Sequence, residues 1–328
     1  MASFVRTMFL GGIVIASSAL AAAQVSVTVS HPTSGFSGPS PMQFVISAYS
    51  SAAAMSSMAI SVDGTEIFFQ WGDSFTAYLW LAKGKHTVVV TGTDVDNNTG
   101  SETLSVTSTN GMGTVSNINN WGVWEVCTTN NCVGGDGKAI SNTYPFQTSP
   151  SLDGSSREFT LGGVGPYSNA YWYAFIGGSD SATNFVYDTW VLLNNPGNPQ
   201  ALELDVNQSF DQQRWVFGTQ CNYKGAAPLG GYWNVWNGAT SQWVATKVAC
   251  KPFAANTWHH IIWAVIRTGN LVHYVSVEID GVSHSVNLQL GEQPHWTGAD
   301  IDVSVQLDGD YNQDPYDLWI DEMKLTAF

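Results

Sequence analysis

From residue 25 onward, apolar and polar residues alternate in short runs with a period of two, the spacing of a strand that buries one face. Up to about residue 108 the runs are VSVTVS, MQFVISAYS, MAISVDGTEIFF, TAYLWLAKGKHTVVVTGTDV and ETLSVTS. Clusters of Gly, Asp, Asn and Ser separate them. Val62-Asp63-Gly64 and Ala82-Lys83-Gly84-Lys85 each sit between two alternating runs and predict hairpins. Roughly seven strands in this length predict a β-sandwich. Past residue 121 the pattern resumes with almost no helical period, in YWYAFIG, FVYDTWVLL, ALELDVNQ, RWVFGTQCNY, TWHHIIWAVIR, LVHYVSVEIDG, VSHSVNLQL, DVSVQLDG and DLWIDEMKLTAF. About nine antiparallel strands with an Ile279-Asp280-Gly281 hairpin fit a two-sheet jelly roll.

The pattern divides the chain. Residues 1–23 read as an export signal: Arg6 supplies a positive start, MFLGGIVIASSAL an apolar stretch and Ala21-Ala22-Ala23 a small-residue cleavage site. The apolar run is shorter than the ~20 residues that span a bilayer, so a secreted, extracellular or periplasmic protein without membrane insertion is expected. Residues 24–108 form the first sandwich. SVDGTEI, LAKGKHTVVVTGTD and DNNTGSETLSVT within it resemble bacterial immunoglobulin-like modules, which implies a spacer or adhesion role. Asp94, Asp96 and Asn98 in DVDNNTG alternate as in a calcium loop, but no Glu occupies the twelfth position, and a polar turn is the expectation. Residues 109–120, including NGMGTVSNINN, read as an uncharged linker. Trp71 and Trp80 are the only tryptophans before that linker and all four cysteines follow it, so function is sought in residues 121–328.

Charge narrows the partners. Lys and Arg total 11 against 26 Asp and Glu, a formal charge of −15. Such a chain repels phosphate backbones and anionic lipids, which argues against nucleic acid and disfavours polyanionic glycans, leaving neutral polysaccharide open. The 14 Trp supply flat faces that suit sugar rings, although most are expected in cores. The cysteines fit an oxidising compartment, with Cys127–Cys132 and Cys221–Cys250 as the expected local pairs. Their spacing does not suit zinc.

In ALELDVNQ, Leu202, Leu204 and Val206 point one way and Glu203, Asp205 and Asn207 the other. The second group forms a polar stripe able to hydrogen-bond sugar hydroxyls. In RWVFGTQCNY, Arg214 and Gln220 line the same cleft if that strand is a neighbour. GGYWNVWNGATSQW offers Tyr232, Trp233, Trp236 and Trp243 as a stacking platform, and Trp121, Trp124, Tyr171, Trp172 and Tyr173 add aromatic surface of unassigned facing. His259 and His260 lie on opposite faces of one strand and cannot share a metal.

NTWHHIIWAVIRTGN, YVSVEIDGVSHSVN and the closing DLWIDEMKLTAF resemble, in this order, the concanavalin A-like lectin/glucanase superfamily, including laminin-G-type modules. The resemblance covers most of residues 121–328 and implies fold more than activity, because the fold hosts lectins, hydrolases, lyases and inert modules. Its laminarinase/lichenase-type members carry E-x-D-x-x-E, which would make Glu203 a nucleophile and Asp205 its orienting partner. The third position here is Gln208, or Asn207, and neither amide can donate the proton a leaving group needs. The missing acid would come from another strand, with Asp308 and Asp188 as candidates. Legume-type lectins hold metals on a V-E-F-D strand, which Glu203-Leu204-Asp205 resembles with Asp211 following, but their other ligands are not evident. The resemblance also implies a structural calcium at Asp321; no other cofactor is required. Jelly-roll lyases use Arg, Gln, His and Tyr on uronates, which the acidic charge disfavours. The reading favoured is a non-catalytic, lectin-like protein binding neutral polysaccharide on a concave sheet face through Glu203, Asp205, Asn207, Arg214, Gln220, Trp233 and Trp236. A glycoside hydrolase is the alternative, and a surface or matrix adhesion protein comes third.

Overall fold

The computed structural model describes residues 25–38, 40, 42–79, 81–109, 113–128, 138–178, 180–295 and 298–327. The expected export signal and Cys132 therefore lie outside the described residues. What is described is all-β, with sheets that are antiparallel apart from one short parallel edge pairing.

The first sandwich joins a three-stranded sheet, in the order Val25–His31, Met42–Ser50 and Ser74–Leu79, to a five-stranded one. The latter runs Ser37–Gly38, Thr99–Ser108, Gly84–Asp94, Met55–Val62 and Thr65–Trp71. Alternate residues such as Phe44, Ile46, Ile60, Val88, Val90 and Val106 meet between the sheets as one core. The Asp63-Gly64 hairpin holds both residues in the left-handed region, at φ 51° and 89°, the backbone of a tight primed turn. The turn expected at Ala82–Lys85 is not a hairpin. Ser74–Leu79 pairs in the three-stranded sheet and Gly84–Asp94 in the other, so this segment carries the chain across the core. Turn chemistry marks a reversal but does not say which sheet receives the next strand. At DVDNNTG, the Asp94 carboxylate accepts bonds from Ser50 Oγ, the Asp96 and Asn98 amides and Asn98 Nδ2, as a polar turn requires.

The larger sandwich pairs a nine-stranded and an eight-stranded sheet, counted among the described residues. The nine-stranded sheet runs Glu125–Cys127, Asn169–Gly177, Ile301–Asp308, Ala201–Phe210, Thr219–Asn222, Tyr232–Asn237 and Gln242–Ala249, with Gln213–Phe217 and Gln293–Pro294 alongside. The other contains Ala139–Gln147, Ser156–Gly163, Tyr316–Ala327, Asn184–Leu193, His259–Thr268, Leu271–Ile279 and Val282–Gly291. Leu202, Leu204, Val206, Val303, Val305 and Trp172 from one sheet meet Phe185, Tyr187, Val191, Ile261 and Trp263 from the other in a continuous core. Cys221 and Cys250 form a disulfide with Cα atoms 5.5 Å apart. The Asp280-Gly281 hairpin repeats the Asp63-Gly64 device, down to the carboxylate that accepts from a neighbouring strand's amide and binds a histidine Nδ1 at 2.7 Å.

Part of the expected linker belongs to this sandwich. Gly113–Val115 is a strand paired with Leu325–Ala327, and Ile118–Asn120 forms a 3-10 turn. Arg157, 2% exposed, holds the turn by donating to the carbonyls of Asn119 and Trp121. Burial lowers its pKa to about 10, still well above neutrality, so the guanidinium remains a charged clamp. The two sandwiches touch, with Phe175 packed against the core of the first. No helix among the described residues is long and apolar enough to cross a membrane.

Candidate functional site

The outer face of the nine-stranded sheet carries the stripe that alternation placed there. In register, Glu203 stands between Gln306 and Gln220, Asp205 beside Ser304, and Asn207 between Asp302 and Val216. Asn234 extends the row beyond Gln220, and Tyr171 extends it beyond Gln306. The inner partners Leu202, Leu204 and Val206 fill the core, which fixes the facing of the outer set. Gln208 belongs to the inner set and donates to the Ala182 carbonyl, so of the two amides considered for the acid position only Asn207 faces the site.

The face is a hydrogen-bonded polar layer, almost closed to solvent. Glu203, Asp205 and Gln306 expose 6%, 7% and 8% of their surface, and Asp308 and Gln220 expose 5% each. Gln220 Nε2 donates to Glu203 Oε1 at 2.7 Å and to Asp308 Oδ2 at 3.3 Å. Glu203 and Asp308 are also bonded to each other. Burial, then the Asp308 and Asp205 charges, pushes Glu203 well above the ordinary carboxyl range. Burial raises Asp308 to about 6 against the hydrogen bonds it accepts. The two acids are too close for both to ionise readily, so burial and their mutual charge favour one proton shared across the pair. Asp308, one of the two acids that sequence could not place, is thus beside Glu203. Asp188 is not, since it lies on the other sheet, 2.7 Å from His260 Nε2.

Asp205 accepts from the Thr219 amide at 3.0 Å, and burial lifts it to about 7. Arg214 Nη2 lies 3.1 Å from Asp302 Oδ2, while Asn207 Nδ2 donates to Asp302 Oδ1 at 2.8 Å and reaches the Tyr171 hydroxyl at 3.5 Å. Burial raises Asp302 to about 6, with Arg214 opposing that rise. The Asn207 Oδ1 and Asn234 Oδ1 atoms are buried without a hydrogen-bond partner.

Four other expectations resolve. Trp233 is a core residue, 1% exposed and edge-on to Trp263 at 5.7 Å, so it is withdrawn as a stacking surface. It alternates with Val235 on the inner face, whereas Trp236 shares the outer phase of Asn234 and packs half-buried against Trp243. Asp211 forms a tight turn with Gln212, at φ 50° and 62°, beyond the end of the Glu203 strand. Asp321 does not fit calcium: its carboxylate already accepts from Ser151 Oγ, the Leu152 amide and the Glu322 amide. Among the described residues no group of three or more His, Cys, Asp or Glu is arranged to hold a metal ion. His259 is bonded to Asp280 and stacked on Phe253, and His260 is bonded to Asp188 and stacked on Trp190.

Sequence reasoning missed Gln306, Asn234, Ser304 and Asp302. The alternation in IDVSVQLD held the signal for three of them, since Asp302, Ser304 and Gln306 oppose Val303, Val305 and Leu307.

No protein-family model matches the chain, and no curated protein matches it in sequence. Similar solved structures include a carbohydrate-binding module of the β-sandwich superfamily, at 10% identity over 92% of this chain and 97% of that one, TM-score 0.35. A protein of unknown function with a galectin-like fold from Bacillus subtilis aligns at 9% identity over 65% and 94%, TM-score 0.35. A carbohydrate esterase from a Shiga toxin-encoding bacteriophage aligns at 10% identity over 66% and 99%, TM-score 0.39. At such scores the assignment of an all-β, jelly-roll-type sandwich rests on the strand order above.

Proposed function

We propose that this is a secreted, lectin-like protein that binds a neutral glycan on the outer face of the nine-stranded sheet. Residues 121–328 form the binding domain, residues 24–108 an immunoglobulin-like module and residues 109–120 the connection. The observation that carries the reading is the acceptor-rich layer that Glu203, Asp205, Asp302 and Asp308 form on one sheet face. Sugar hydroxyls are donors matched to the carboxylate and amide oxygens of such a layer. Arg214, the cation of this layer, is paired with Asp302, and the surrounding carboxylates would repel a uronate or phosphate. Trp236 and the exposed Tyr232 border the layer and serve as stacking surface.

Pull-down on β-glucans, xylan and cellulose, with reducing-sugar release measured beside it, tests the reading. Binding without release supports it, and retention of full binding by Glu203→Gln would sink it. A second reading, glycoside hydrolysis, is favoured by the Glu203–Asp308 pair, which holds one acid and one carboxylate together. Their direct contact is closer than the ~5–5.5 Å at which two carboxyls flank a glycosidic bond in retaining enzymes, so binding is preferred. Release that disappears in both Glu203→Gln and Asp308→Asn would reverse that preference.

A further inference from the structure

A cleft of about 280 Å³ lies between the two sandwiches. Phe69, Gln70 and Thr76 of the first sandwich face Trp121, Glu125 and Tyr173 of the second. It lies just below the ~300–1,000 Å³ range of ligand clefts. Its lining is amphipathic, with aromatic rings on both sides, amide, hydroxyl and carboxylate between them, and Glu125 the one charged residue. An anion would meet repulsion there, and a wholly apolar ligand would strip water from Glu125 and Gln70 without replacing it. A neutral sugar ring suits both kinds of surface, laying C–H faces on the rings and donating hydroxyls to the carboxylate and amide.

A chain of side-chain contacts links the cleft to the polar layer. Asn207 Nδ2 reaches the Tyr171 hydroxyl, the Tyr171 and Tyr173 rings lie 5.7 Å apart, and the Tyr173 hydroxyl donates to Glu125 Oε2 at 2.7 Å. From the Glu203 strand to the Glu125 strand is three strand spacings, about 14 Å. The far wall is held in place, because Phe175 docks on the first core and Arg157 clamps the Trp121 carbonyl.

We infer that this cleft is a further saccharide subsite, so that the first sandwich forms one wall of the binding groove and the ligand is a chain of several neutral sugars. The inference rests on the glycan-binding reading above. Gly122 lines the cleft, and a Cβ added there meets no atom within 4 Å, so Gly122→Phe adds bulk at the cleft from an unobstructed starting point.

The test is calorimetric titration with β-1,3- and β-1,4-linked gluco- and xylo-oligosaccharides of two and six units. The intact chain, Gly122→Phe and Glu203→Gln are compared, with circular dichroism as the folding check. The expectation is that the hexamer binds at least tenfold more tightly than the dimer. Gly122→Phe should remove most of that gain while leaving dimer affinity in place, and Glu203→Gln should weaken both. As a second readout, protein labelled with 5-fluorotryptophan, with the Trp121 signal assigned by Trp121→Phe, should shift that signal with the hexamer and not the dimer. If Gly122→Phe leaves hexamer affinity untouched, or weakens dimer and hexamer equally, the subsite is overturned while glycan binding stands. If the intact chain binds none of these sugars, both readings fall.

Discussion

The two sheets of the larger sandwich both turn acids outward, and the acids live in different worlds. On the eight-stranded sheet Asp188 is about a quarter exposed and bonded to His260, which stacks on Trp190, while Lys324 and Glu322 sit 3.9 Å apart in solvent. On the nine-stranded sheet, Glu203, Asp205, Asp302 and Asp308 are each at least nine-tenths buried, and burial raises all four. The first face does what surface charge ordinarily does. The second confines unfavourable charge in one layer, the kind of perturbed cluster that marks a candidate functional site.

The comparison breaks most sharply at Arg214. Arg214→Met should cost about 3–5 kcal/mol in urea unfolding, because Asp302 is left as an uncompensated buried charge. Lys324→Met on the other sheet should stay within about 0.5 kcal/mol. Equal costs would mean that the nine-stranded face is more hydrated than its exposure implies. Next in size, Glu203→Gln should lower glycan affinity at least about tenfold, near 1.4 kcal/mol, with stability unchanged or raised because one of two crowded acids is gone.

The pH dependence sharpens the contrast further. Asp302 and Asp308 are raised to about 6 and Asp205 to about 7, so the folded state holds more protons than the unfolded state between about pH 4 and pH 7. The stability they contribute is fully present below the unfolded value and is lost as pH rises through those folded values. Melting temperature should therefore climb from pH 8 to pH 5 by about 3 °C or more, the response to roughly 1 kcal/mol at this size. Asp308→Asn should flatten the climb, and a melting temperature that falls over that interval would contradict the assignment. The smallest effect belongs to Asp188→Asn, expected to change stability by under about 1 kcal/mol and glycan binding not at all.

Much of this contrast was legible in the residues. Strict alternation in ALELDVNQ and IDVSVQLD dictates which side chains leave the core, and the Asp63-Gly64 and Asp280-Gly281 turns and the Cys221–Cys250 pair follow from local chemistry. What alternation cannot report is what lies beside a side chain in space. Asp308 joins Glu203 only because Ile301–Asp308 pairs with Ala201–Phe210, a register set by the whole sheet. Trp233 and Trp236 lie three apart on one strand and must face opposite ways, so alternation alone separates the core ring from the outer one. The crossing at Ala82–Lys85 and the ordered Gly113–Val115 strand depend on partners distant in sequence, which no local pattern names.

That short strand has a practical corollary. Gly113 and Ala327 are register partners, so a few residues would suffice to bridge them and close the larger sandwich into a loop. A permuted gene that joins these positions and opens the chain at the exposed Thr240-Ser241 turn should yield the same sandwich with its entrance moved. Such a molecule would separate the nine-stranded sheet from its neighbouring module by cutting rather than by substitution.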